Sequence, residues 1–201
     1  GISKIDKIDI KCGKDMGYVI KLLGIARESR KGVSLNVYPA FIPFEHPLAS
    51  VRGSYNAVYI RGNGFDDVML YGRGAGSLPT GSSVVADIME EAINVARHNT
   101  GRRIQFYYDQ KEIYAPGKIE SSYYMRLVVE NKMGVLAKVA EKFAEQRISV
   151  LNVVQQMENP ETATLVITTS KCPGAYISNV IESFNHLRSV KSVASVIRIM
   201  D

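Results

Sequence analysis

The stretch from Tyr123 to Met200 restricts the fold most, because its hydrophobic period switches between two and 3.6 residues in a fixed order. Tyr123, Met125, Leu127 and Val129 alternate as one face of a strand does, and Leu136, Val139, Ala140 and Phe143 follow at helical spacing. Ile148–Met157 and Thr162–Thr169 read as two strands around the turn Glu158-Asn159-Pro160. Ile177, Val180, Ile181, Phe184 and Leu187 make a second amphipathic helix, and Val193–Met200 a last strand. Strand, helix, strand, strand, helix, strand is the ferredoxin-like βαββαβ order.

A second constraint lies in Tyr71–Ala96, where Gly72, Gly74 and Gly76 stand on alternate positions before Ser77, Pro79 and an amphipathic helical run. Glycines let a backbone approach a ligand closely, and the helix start behind them offers unpaired N–H groups and partial positive charge, a combination suited to an anion. The same pattern serves equally well as a tight strand-to-helix turn. Its spacing is not Gly-x-Gly-x-x-Gly and no parallel unit precedes it, so it is not a dinucleotide-fold loop, although it can close over a cofactor held by another domain.

Upstream, Ile5–Lys14 has a helical pattern with Asp6 and Asp9 toward its start and Lys11 and Lys14 toward its end, complementing the helix dipole. Tyr18–Arg27 and Val33–Ile42 are apolar runs flanking a polar turn and read as a hairpin. Tyr55–Arg61 and Asp67–Tyr71 make a second hairpin around Gly62-Asn63-Gly64, residues suited to positive φ. Together these four strands predict an antiparallel sheet, with the first helix before it and the Ser77–Ala96 helix after it. His46, beside Pro47, reads as a hydrogen-bonding turn residue rather than a catalytic one.

Hydrophobic content of 46% and charged content of 22% are ordinary for a soluble globular chain, and no apolar run approaches membrane-spanning length. The first residues do not build a secretory signal, and Cys12 and Cys172 have no metal-ligand spacing, so they read as reduced thiols of a cytoplasmic protein. The net charge of +5 is scattered, with no basic run carrying interleaved aromatics. RNA binding is disfavoured further because the βαββαβ strands lack a Gly-Phe-Gly-Phe stacking run. Neither a nucleic acid, a membrane nor a metal is expected as a partner.

The runs Gly17–Ala26 (GYVIKLLGIA), His46–Val51 (HPLASV), Asn56-Ala57-Val58 and Tyr71–Thr80 (YGRGAGSLPT), with Asp87, closely resemble the later half of homoserine dehydrogenase. Tyr123–Asp201 resembles the ACT domain that many bacterial members carry at the C-terminus. The resemblance implies residues 1–99 as part of the substrate and dimerisation domain, 100–122 as a linker and 123–201 as an ACT regulatory domain. The expected class is α+β: an antiparallel sheet with flanking helices, then a ferredoxin-like βαββαβ module. The family reaction is reversible hydride transfer, with NAD or NADP, between L-homoserine and L-aspartate 4-semialdehyde. By analogy Gly72, Gly74 and Gly76 approach the cofactor from the substrate-domain side, and the four-stranded sheet forms a homodimer interface. Family members also carry a Rossmann domain and a segment ending Asp-x-Gly-x-Asp-x-x-x-Lys, neither of which is matched here. Asp9 to Lys14 repeats the acid-then-lysine order at a spacing one residue too long, and Lys21 sits in an apolar strand pattern. The chain is therefore expected to be a C-terminal fragment, inactive alone, with no catalytic residue assigned.

In the ACT-like module the turn Asn131-Lys132-Met133-Gly134 precedes a helix starting with Val135 and Leu136, whose N–H groups can hold an amino-acid carboxylate. Asn152, on the next strand, carries an amide able to donate and accept. A plainer reading has Asn131 only capping the helix and Asn152 only pairing at a strand edge. The resemblance favours an effector site at Asn131, Met133, Gly134, Val135, Leu136 and Asn152, with L-threonine as effector and ACT pairing as a route to higher assembly. A stand-alone amino-acid-binding regulatory protein is the competing expectation.

Overall fold

A computed structural model describes residues 2–29, 32–99 and 110–200. In chain order the elements are α1 (Lys7–Asp15), β1 (Tyr18–Ser29), β2 (Gly32–Pro43), β3 (Tyr55–Arg61), β4 (Asp67–Arg73), α2 (Ser77–Ala96), β5 (Glu120–Glu130), α3 (Val135–Glu145), β6 (Val150–Met157), β7 (Thr162–Thr169), the two-residue β8 (Cys172–Pro173), α4 (Gly174–Phe184) and β9 (Val190–Ile199). Short 3₁₀ turns occur at Pro47–Ser50 and Pro116–Lys118. They divide into two compact units, Gly1–Phe44 with Lys111–Asp201, and Glu45–Gln110. No helix among the described residues is long and apolar enough to cross a membrane.

In the first unit the strands run β1-β2-β9-β5-β7-β6, with β8 pairing the start of β5. The segment β9-β5-β7-β6 is antiparallel throughout and has the ferredoxin-like order expected from the sequence. Alternation along β5 sends Tyr123, Met125, Leu127 and Val129 to the face covered by α3 and α4, where they meet Val139, Phe143, Val180 and Phe184. The Phe143 and Phe184 rings pack edge-on at 5.9 Å.

The opposite face departs from expectation. The β1–β2 hairpin does not join β3 and β4. It continues the larger sheet through a short parallel pairing of Ala40 with Arg198 and Phe41 with Ile199, extended by the Met200 N–H donating to the Phe41 carbonyl at 2.8 Å. The hairpin β3–β4 makes a two-stranded sheet of its own. The physical reason is the second core, in which buried Phe41, Tyr124, Val166 and Ile197 collect Ile5, Cys12, Met16, Tyr18 and Ile20. The Phe41 ring stands edge-on to Tyr124 at 5.0 Å. Both faces of the βαββαβ sheet are therefore covered, and residues assigned to the first domain by order in sequence supply one cover.

Helix α1 seats on that second face through Asp9 and Gly13, one turn apart and both buried. Gly13 is small because a Cβ there would enter the Phe41 ring. Asp9 closes its own helix start by accepting from the Asp6 N–H at 2.9 Å. The same carboxylate accepts from Arg126 Nε at 2.7 Å and Nη2 at 3.0 Å, from Tyr124 Oη at 3.0 Å and from Ser195 Oγ at 2.7 Å.

Of the expected linker, residues 100–109 lie outside the described residues. The part from Glu112 onward is ordered: Val33 exchanges backbone hydrogen bonds with Glu112 and Tyr114 at 2.9 and 2.7 Å. Gly32, at φ +123°, passes close under the Glu112 carbonyl.

In the second unit β3 and β4 pair from Tyr55–Arg73 to Arg61–Asp67. The turn forms where expected, but Gly62 and Gly64 are not among the residues with positive φ. Gly62 answers a steric need instead, since a Cβ there would stand 2.8 Å from the Phe65 ring. Helix α2 has the expected bounds, yet none of its residues is buried, and Leu78, Ile88, Met89 and Val95 are all more than half exposed.

Candidate functional site

At one end of the first unit, the loop from Glu130 to Gly134 and the first turn of α3 enclose a cleft of about 350 Å³, within the usual range for small-ligand pockets. Asn131, Met133, Gly134, Val135 and Leu136 line it, as the sequence suggested, with Val129, Glu130, Lys132, Gln155 and Leu165. Gly134 is the N-cap of α3 in the left-handed conformation, φ +80°, and no side chain caps the helix. The helical ladder begins with the Lys138 N–H on the Gly134 carbonyl at 3.2 Å; ahead of it the Val135 N–H donates to the Lys132 carbonyl at 3.4 Å, and the ladder leaves the N–H groups of Leu136 and Ala137 to other acceptors. Asn131 is accordingly not a cap. Its backbone N–H donates to the Glu161 carbonyl at 2.8 Å, and the residue lines the cleft.

Asn152 does not belong to this site. Its amide donates to Thr168 Oγ1 at 3.3 Å. A register shift lies between Val150 and Asn152, and from there the period-two rule puts Asn152 and Gln155 on opposite faces of β6. Gln155 pairs with Leu165, a residue of the α3-side core, so it is Gln155 that reaches the cleft. Counting parity backward from Leu165, rather than forward from Ile148, would have found it.

Glu130 is held ionised at the cleft by two lysines, which also offset its charge. Its carboxylate bonds Lys191 Nζ at 2.7 Å and Lys132 Nζ at 3.0 Å, and these two ammonium groups hold its pKa down to about 2. The site thus combines an uncapped helix start, two side-chain amides, a permanent carboxylate and apolar walls. Such a set can take the carboxylate and ammonium of one small zwitterion.

The three-glycine loop is mainly explained by its own packing. A Cβ on Gly74 would overlap the Asn56 amide, and the Gly74 N–H donates to the Ser54 carbonyl at 3.1 Å. Gly76, at φ +124°, is the N-cap of α2 and offers no side-chain acceptor. Only Gly72, on β4, has open space around it. An approaching anionic group would meet that open flank and the uncapped helix start. His46 is the turn residue expected: Nδ1 accepts from the Leu48 N–H at 3.1 Å, and burial followed by the Arg61 charge lowers its pKa. Cys12 and Cys172 are free thiols.

The relatives found by comparison are dehydrogenases. Residues 1–89 match a family model described as homoserine dehydrogenase. Over 99% of its length the chain is 33% identical to a homoserine dehydrogenase of Bacillus subtilis, and over 98% it is 35% identical to that of Neisseria gonorrhoeae, covering 46% and 47% of those proteins. The crystal structure of the Thiobacillus denitrificans homoserine dehydrogenase aligns over the whole chain with a TM-score of 0.86 at 30% identity, using 47% of that chain. A Staphylococcus aureus homoserine dehydrogenase aligns with a TM-score of 0.62 at 26% identity. The chain belongs to the homoserine dehydrogenase family and corresponds to the C-terminal portion of its members. It spans about half the length of the curated relatives it matches.

Proposed function

We propose that the chain is the substrate-side, dimerising and amino-acid-sensing portion of a cytoplasmic NAD(P)-dependent homoserine dehydrogenase, with the βαββαβ module acting as an ACT domain. The carrying observation is the cleft at the start of α3, where left-handed Gly134 allows a carboxylate to approach the helix N-terminus and Asn131 and Gln155, with the lysine-paired Glu130, line the space a ligand ammonium would take. L-threonine is the proposed ligand. Pairing of two copies along β6 fits the reading, because β6 is an edge strand with Leu151, Val153, Val154 and Met157 exposed beside the cleft.

In the second unit, uncovered α2 and the exposed Val58, Ile60, Val68 and Leu70 on one face of β3–β4 offer apolar area for a homodimer contact or a cofactor-binding half. The nicotinamide cofactor supplies the hydride acceptor in the family reaction. The open side of Gly72 and the uncapped start of α2 at Gly76 would face it, while these 201 residues contribute no matched catalytic lysine.

Calorimetric titration with L-threonine, alongside isoleucine, methionine, lysine and serine, tests the reading. Saturable heat for threonine is expected. Gly134→Asp should abolish it by placing a carboxylate at the helix start; a side chain is strained at φ +80°, so circular dichroism accompanies the titration to show that the fold is kept. Gln155→Ala should weaken binding while Asn152→Ala leaves it unchanged. Silence across the panel would refute the sensing role.

A further inference from the structure

Of the two lysines that hold Glu130, one stands on the cleft and the other behind it. Lys132 is among the residues lining the cleft, and Lys191 is not. They bind different oxygens of the carboxylate, Lys132 Nζ at 3.0 Å from Oε2 and Lys191 Nζ at 2.7 Å from Oε1. Lys191 belongs to β9, the strand beside β5, whereas Lys132 belongs to the loop that leads into α3.

The backbone under Lys132 is pinned while its side chain is not. Its N–H donates to the Glu130 carbonyl at 3.0 Å, and its own carbonyl accepts from the Val135 N–H at 3.4 Å. The Lys132 side chain is 72% exposed, against 49% for Lys191. A four-carbon stem in solvent turns about its own bonds without moving the loop, and an exposed ion pair is weak enough to exchange. A third ammonium at a carboxylate that already carries two would meet like charge on both sides, so one of the two must leave. Lys132, the more exposed and the one lining the cleft, is the one placed to do so.

We infer, on the sensing reading above, that Lys132 is an internal stand-in for the ligand's ammonium: its Nζ holds Glu130 Oε2 until the ammonium of an α-amino acid takes that position and the lysine swings out to solvent. The exchange trades one charge-assisted bond for another, so it lowers affinity and adds selection. A ligand with a free ammonium displaces the lysine. A ligand with a carboxylate alone leaves it in place and gains nothing from Glu130. The contact is self-inhibiting, and removing it favours amino acids over their uncharged-nitrogen analogues even though Lys132 lines the site that binds them.

The test is calorimetric titration of the 201-residue chain and its Lys132→Met variant with L-threonine and with N-acetyl-L-threonine, which keeps the carboxylate and side chain but has no ammonium. Methionine keeps the apolar stem, and circular dichroism checks the fold. The ratio of the two affinities cancels both the loss of a positive charge near the carboxylate that the ligands share and any loosening of the loop. It should favour threonine about threefold more in the variant than in the parent, the scale set by an exposed ion pair. In spectra of the lysine side-chain nitrogens, saturation with threonine should move Lys132 Nζ to the position it takes in Glu130→Gln and leave Lys191 Nζ in place. Where N-acetyl-threonine binds too weakly to measure, the Lys132 resonance decides. Threonine binding with Lys132 Nζ unmoved, or a ratio unchanged or smaller in Lys132→Met, would overturn the stand-in and leave the sensing reading intact. Absence of saturable heat from threonine would overturn both.

Discussion

Replacing Asp9 by alanine should loosen helix α1 from the sheet. The pair it makes with Arg126 is nearly dry, with side-chain exposures of 0% and 7%, so the variant strands a buried guanidinium and leaves the Tyr124 and Ser195 hydroxyls without their acceptor. Breaking one side of such a buried pair costs about 3–5 kcal/mol. In a unit of this size that corresponds to a melting temperature lower by about 10–15 °C. The double variant Asp9→Ala with Arg126→Met removes both charges, and should regain at least about 2 kcal/mol over the single variant.

Urea denaturation followed by circular dichroism, with amide exchange at Tyr124 and Arg126 to report on this unit, measures both quantities. The pH dependence supplies a sign. Burial pulls the Asp9 pKa up, but the bonds from Arg126, Ser195, the Asp6 backbone and Tyr124 together outweigh it and leave it below the ordinary 3.8. A depressed folded pKa means stability that is present above about pH 4 and lost as pH falls through the folded value. The parent chain should show that acid limb, and Asp9→Ala should lack this contribution to it. A single-variant cost below about 1 kcal/mol, or strictly additive effects in the double variant, would refute the view that this pair clamps α1.

Two further outcomes follow from the geometry. Lys191→Met should let the Glu130 pKa climb from about 2 toward its ordinary 4.5, read from its carboxyl carbon resonance; an unmoved value would show that Lys191 does not hold the cleft's charge. Gly74→Ala should destabilise the β3–β4 hairpin by about 1–3 kcal/mol because the new methyl enters the Asn56 amide, whereas Gly72→Ala meets open space; equal loss of exchange protection in both would contradict the packing account.

Much of the local structure was legible in the chain. The period-two run of β5, the 3.6-residue spacing of α3 and α4, and the charge order of α1 each rest on neighbours in sequence, and each element formed where it was read. The turn ahead of α3 was equally legible, since a glycine before an apolar helical run is a local signal, and its residues line the cleft. Asn152 shows where local reading stops. Which of the β6 amides at Asn152 and Gln155, three residues apart, faces a ligand depends on a one-residue register shift between β6 and β7, and a shift of one inverts every side chain beyond it.

By itself, then, the sequence determined the elements, the βαββαβ order and the family likeness, because these follow from spacing and from ordered motifs. Tertiary structure alone decided where the first hairpin goes. Its alternation specifies a buried face but not the edge it pairs with, and the choice of β9 is set by Phe41 meeting Tyr124 and by Asp9 reaching Arg126, partners separated by more than eighty positions.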